Sequence, residues 1–137
     1  MDDAVLIDAA IALYALGELG PARDRSRALI DELAAGRGRA YASVEMVQEV
    51  VHHRLRRTGD RARAVRESRL ITGAMVILDF DREVLDLSLD LIERVPTIRG
   101  RDAVHAATAI AYGIGAIASP DTAFDGIPGL TRLDPFA

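Results

Sequence analysis

The chain has 137 residues and is 50% hydrophobic, which predicts one folded domain over 1–137 with a buried core and excludes a disordered tail. It has no cysteine, so disulfides, thiolate nucleophiles and zinc fingers are excluded, a reducing cytoplasm is the expected compartment, and any metal must sit on oxygen or imidazole. The net charge of -4 argues against nucleic-acid binding through an overall positive surface, and because all 17 basic residues are arginine, the P-loop, Schiff-base and receiver chemistries that turn on a lysine are excluded as well.

Residues 4–8, "AVLID", form a short apolar run with β-branched members and no helical period, which predicts a buried strand closed by Asp8. Asp2 and Asp3 stand where a signal peptide carries bases, and no run reaches the length of a membrane span. A helix over 9–16 ends at Gly17, and Pro21 opens a second helix over 21–35 that Gly36 and Gly38 stop. A strand over 40–43 follows. Ser43 then caps a helix over 44–57, with Val44, Val47, Val50, Val51 and Leu55 at helical spacing. Thr58-Gly59-Asp60 breaks the pattern before a basic helix over 61–71. A third strand over 75–80, a helix over 82–94, a loop at Pro96 and Gly100, and a helix starting at Asp102 come next. The chain closes with a strand over 116–119, a short turn at 121–124 and a strand over 130–134. Strands alternating with helices predict an α/β fold, a three-layer α/β/α sandwich around a short-stranded, mostly parallel sheet.

Ligands of open parallel sheets bind beyond the carboxyl ends of the strands, and two acids fall there: Asp8 after the first strand and Asp121 after the fourth. Each also has a plainer role. Asp8 can be a loop acid or a helix cap, and Asp121 can favour the dipole of a turn opened by Ser119 and Pro120. Glu49 lies between Val47, Val50 and Val51 on the face expected to point inward, where an acid is costly unless paired; Glu45, one turn earlier, competes with it. Asp102 heads an Ala-rich run, and either caps a helix or is a ligand.

Together these residues resemble the PIN-domain ribonucleases of the VapC toxin type, over nearly the whole length. The matching pieces are Asp8 in "VLIDAAIALYAL", Ser43 followed six residues later by Glu49, Asp102 in "DAVHAATAIAYG", and Ser119, Asp121 and Phe124 in a Thr/Ser-x-Asp-x-x-Phe segment. The chain departs from the family after its first acid, where Ala9 and Ala10 stand in place of a Thr or Ser and an Asn or Ser. The resemblance implies a PIN-like fold and an endoribonuclease that leaves a 5′-phosphate and a 3′-hydroxyl. It further implies that the chain is the toxin of a type II toxin–antitoxin pair, a homodimer held inactive by a small antitoxin. Asp8, Glu49, Asp102 and Asp121 would then be the catalytic and metal-binding residues. All-oxygen ligation suits one or two Mg²⁺ or Mn²⁺ ions, which can activate water and offset the charge of a phosphorane.

His52, His53 and His105 are read as structural rather than as bases or ligands, because a metal-assisted hydrolysis does not need them. The arginine run 54–69 is either a solvated face or an RNA contact, with Arg54, Arg56 and Arg57 the candidate substrate residues beside Ser119. Aromatic residues are 4%, too few for stacking platforms, so RNA recognition would rest on backbone charge and shape. Two other readings compete with the nuclease. One is a catalytically weak PIN domain that binds RNA or protein. The other is a phosphatase of the haloacid dehalogenase class, which needs an Asp where Ala10 stands and a lysine that is absent.

Overall fold

The computed structural model describes residues 4–37 and 39–137; Asp2, Asp3 and Gly38 lie outside them. Five strands, β1 (Ala4–Ile7), β2 (Arg39–Ser43), β3 (Val76–Leu78), β4 (Ala116–Ala118) and β5 (Thr131–Leu133), form one sheet in the order β3-β2-β1-β4-β5. Every pairing is parallel, so the sheet is more uniform than expected. The helices are α1 (Ala9–Leu16), α2 (Pro21–Glu32), α3 (Val44–Thr58), α4 (Arg61–Gly73), α5 (Arg82–Arg94) and α6 (Gly100–Ala111).

The period of two along the strands divides the core into two layers. Val5, Ile7, Ala40 and Ala42 face Ile11 and Ala15 of α1, Ile30 of α2, Met46 and Val50 of α3, and Ile71 of α4. Leu6 and Ile117 face Val84 and Leu91 of α5 and the alanines Ala103, Ala106 and Ala107 of α6. The small side chains of α6 let its backbone lie close to the sheet. Leu6 and Ile7 are fully buried, and each contributes about 2 kcal/mol by leaving water. The expected three-layer sandwich is therefore present.

Several boundaries differ from expectation, each for a physical reason. The second helix stops at Glu32 rather than at residue 35, and a kinked turn over Leu33–Arg37 follows, with Gly36 at φ 92, a conformation only glycine adopts readily. The third strand is three residues long rather than six. It lies at the sheet edge, and Phe80, counted within it from sequence, is exposed beyond its end. In α3 the fully inward positions are Met46, Val50 and Arg54, while Val44 is exposed and Val47, Val51 and Leu55 are half-buried. Gly59, at φ 65, ends that helix in a left-handed cap.

The chain order along the sheet sets the site. From β1 the chain winds outward through β2 to β3, then returns to the other side of β1 for β4 and β5. The reversal point lies between β1 and β4, where parallel sheets open a crevice at the carboxyl ends of the strands.

Candidate active site

Asp8 follows the last residue of β1, and its backbone N–H extends the ladder by donating to the carbonyl of Ala118 at 3.1 Å. Asp8 is 5% exposed, and its carboxylate is held at both oxygens. The Ala9 N–H donates to Oδ1 at 2.8 Å, and the Ser119 hydroxyl donates to Oδ2 at 2.7 Å. Asp8 is thus the N-cap of α1 as well as the acid that closes β1. Burial pushes its pKa up and Glu49 adds to the rise, while His105 and the hydrogen bonds from Ser119 and Ala9 pull against it. Ala9 and Ala10 offer the first carboxylate no side-chain donor, and the hydroxyl that orients it comes from Ser119, just past the end of β4. Fully buried, it holds Asp8 and accepts the Asp121 N–H at 3.0 Å, so its hydroxyl is engaged within the protein.

Asp102 does not cap α6. The helix begins at Gly100, two residues earlier than expected, and the cap position is Arg99, whose side chain makes no capping bond. Asp102 is the third helical residue, on the turn facing the carboxyl end of β1. Its carboxyl is pushed up to about 6, first by burial and then by the negative charges of Asp8, Asp121 and Glu49, with His105 opposing them. Asp121 is exposed. It caps the short turn Thr122–Phe124 through a 2.9 Å bond from the Ala123 N–H to Oδ1.

Glu49 projects from α3 with its side chain 18% exposed, and Oε1 lies 3.0 Å from Nε2 of His105. Its competitor Glu45 pairs instead with Arg101 at 3.5 Å. His105 was read from sequence as structural, and it is fully buried; its partners, however, belong to the acidic cluster. Nδ1 lies 2.8 Å from the Ser43 hydroxyl, and Nε2 lies 4.0 Å from Oδ1 of Asp8. Burial alone lowers the basicity of its ring. The bond to Glu49 and the charges of Asp8, Glu49 and Asp102 outweigh that and raise it.

The arginines divide. Arg54 is 5% exposed and joins α3 to α4 through Glu67, with Nε–Oε1 at 3.1 Å, so it is removed from the candidate substrate residues by its own pairing. Arg56 and Arg57 are exposed and line a cleft of about 500 Å³ with Leu13, Glu49, His52, His53 and Arg101. Burial and the neighbouring Arg54, Arg57 and Arg56 push the His53 pKa down, which marks the positive potential there.

The donor set suits a hard cation, being carboxylate oxygens that repel one another. Among the described residues no three acidic or imidazole groups converge as a ready-made cage. Mg²⁺ needs no such cage, since it keeps several waters and takes one or two carboxylates directly. Asp102, whose charged form is disfavoured by burial and by the neighbouring acids, would be relieved by such a counter-charge.

A model of the PIN domain matches residues 5–130. The chain belongs to the PIN-domain family. Among similar proteins, ribonuclease VapC7 of Mycobacterium tuberculosis is 32% identical over 136 residues, covering 97% of this chain and 92% of that one. Ribonuclease VapC13 of the same organism is 26% identical over 129 residues, covering 94% and 98%. Among solved structures, a chain of VapBC2 from Rickettsia felis, bound to a DNA fragment from its promoter, superposes with a TM-score of 0.77 at 16% identity, covering 95% of this PIN domain and 97% of that chain. At that identity the likeness is one of fold, and the five-stranded parallel sheet accounts for it.

Proposed function

We propose that this PIN domain is a Mg²⁺- or Mn²⁺-dependent endoribonuclease, acting as one domain over 1–137 and serving as the toxin of a toxin–antitoxin pair. The observation that supports it most is Asp102: a helical carboxylate that caps nothing, with its pKa raised to about 6 by burial and by three other acids at the carboxyl end of the sheet. The 32% identity to a ribonuclease named VapC7 supplies the reaction class. A divalent cation, when bound, supplies an activated water and neutralises charge on the phosphate under attack.

The chain's own residues do the rest. Ser119 and the Ala9 N–H fix Asp8, so its carboxylate enters the site in one orientation. Asp102 offers a carboxylate free of the capping duty, and Asp121 retains Oδ2 beyond its bond to Ala123. Arg56 and Arg57, on the cleft beside Glu49, are placed to hold RNA phosphates as bidentate donors. The solved neighbour is a VapBC complex, which supports a small antitoxin as partner; a homodimer is the working form proposed from the family resemblance. Among the described residues no helix is long and apolar enough to cross a membrane, in keeping with a cytoplasmic site of action.

A second reading, a catalytically weak PIN domain that binds RNA or protein, draws on the lack of a ready-made cage among the described residues and on Ala9 and Ala10. Thermal unfolding and RNA cleavage, each measured with EDTA, Mg²⁺ and Mn²⁺, separate the two. The nuclease reading expects the melting temperature to rise with millimolar cation and fall again with EDTA, a smaller rise in Asp8→Asn, and cleavage only with cation. Unchanged melting together with no cation-dependent cleavage leaves the binding module.

A further inference from the structure

We propose that His105 is a positioning residue for Glu49, oriented by Ser43. Three features carry this. The imidazole is fully buried, so its ring nitrogens have no water to turn to and must find partners in the protein. Its two nitrogens meet two different elements: Nδ1 the Ser43 hydroxyl at 2.8 Å, where β2 becomes α3, and Nε2 the Glu49 carboxylate at 3.0 Å, in the second turn of α3. The hydrogens along this chain can also be assigned. Ser43 Oγ already accepts the Met46 N–H at 3.0 Å as cap of α3, so its own hydrogen is free to donate to Nδ1. The Glu49 carboxylate only accepts, so Nε2 carries the hydrogen donated to it. An imidazolium also carries a hydrogen there, so the bond to Glu49 exists in either charge state.

The consequence for the site is geometric. Glu49 comes from the layer that packs through Met46 and Val50, whereas Asp102 comes from α6 in the opposite layer. A glutamate at 18% side-chain exposure has three torsions and could turn to solvent. His105, buried within α6 and one turn from Asp102, sets Nε2 3.0 Å from Oε1 of Glu49 and 4.0 Å from Oδ1 of Asp8, and so links the two layers. Partners of this kind commonly change metal affinity or activity by 10–100-fold.

This rests on the cation-dependent reading for its binding and cleavage arms only; the ring hydrogen is read on metal-free protein. In ¹⁵N–¹H correlation spectra of the His105 ring, the expected result is a hydrogen on Nε2 whose shift moves in Glu49→Gln. A bare Nε2, or a shift indifferent to Glu49, overturns the proposal. In titrations with Mn²⁺ alone, His105→Leu is expected to lose about tenfold or more in affinity. His105→Gln, which can present an amide N–H to Glu49, is expected to recover part of it. The effects of His105→Leu and Glu49→Gln are expected to be strongly non-additive, because one acts through the other. Additive losses, or His105→Gln no better than His105→Leu, overturn it. Should His105→Leu fail to fold, His105→Gln and the ring spectra still decide. Wild-type protein that binds Mn²⁺ and cuts no RNA would remove the nuclease reading while the ring hydrogen still decides the positioning role.

Discussion

The Ser119 hydroxyl, at the end of β4, donates to Oδ2 of the buried Asp8 carboxylate at the end of β1, across 2.7 Å. Among the described residues it is one of two hydrogen bonds to that carboxylate, and it pulls against the rise in pKa that burial imposes. Ser119→Ala therefore raises the Asp8 pKa further and leaves Oδ2 unsatisfied. The expected cost is about 1–3 kcal/mol of stability in EDTA, with cation affinity down about tenfold. Thermal unfolding in EDTA and Mn²⁺ titration check both; an unchanged affinity would remove Ser119 from the support of the site.

Asp102→Asn separates charge from shape. The folded protein holds this carboxyl at about 6, above its ordinary 3.8, so between those values the folded state binds more protons than the unfolded one. Stability from this group is therefore greatest at low pH and is lost as pH rises through that window. Metal-free wild type is expected to lose more melting temperature between pH 4 and pH 6.5 than Asp102→Asn does, and the variant should equal or exceed wild type at pH 7 in EDTA. Its RNA cleavage should fall by orders of magnitude. Retained cleavage in folded Asp102→Asn would strike this residue from the cation set.

Arg56 and Arg57 are exposed, and the only ion pair either makes among the described residues is that of Arg57 with Glu18 at 3.2 Å, a surface contact of little energetic weight. Removing both should leave unfolding within about 0.5 kcal/mol of wild type. RNA affinity should fall, and its dependence on salt should flatten by about one phosphate contact per arginine. Salt slopes equal to wild type would assign this face to solvent or to a protein partner.

Arg54→Met predicts the reverse pattern. It strands Glu67, whose side chain is 16% exposed and keeps only the longer 3.5 Å contact with Arg63. About 3 kcal/mol of stability should be lost, and a second change, Glu67→Leu, should restore much of it. The salt dependence of RNA binding should not move. If the slope changes as it does for Arg56 and Arg57, the buried pairing is not what this arginine is for.

The layers, the alternation of strands with helices, and the acids at the strand ends were legible in the sequence, because short apolar runs and helical spacing report burial directly. Asp8 and Asp121 could be found because a strand end is a fixed address in a parallel sheet. The role of His105 could not, since its partners Ser43 and Glu49 lie 62 and 56 residues away and only the folded sheet edge joins them. Arg54 misled for a similar reason: a core slot at helical spacing is filled by a charge whose neutralising partner sits on the next helix. The start of α6 was misplaced by two residues because Gly100 and Arg101 carry no starting signal, whereas Asp102 resembles one.

The central position of β1 has a consequence for synthesis. Asp8 and the serine that fixes it are 111 residues apart in sequence, and β1 pairs with β4 only after the chain has travelled out through β3 and back. Such distant contacts close late in folding. A growing chain therefore displays Asp8 on an unfinished sheet edge, and Ser119 and Asp121 can join it only once β4 has been made. A partial product that stops before β4 carries Asp8, Glu49 and Asp102 but lacks Ser119 and Asp121, so the Asp8 carboxylate is left with the bond from the Ala9 N–H alone.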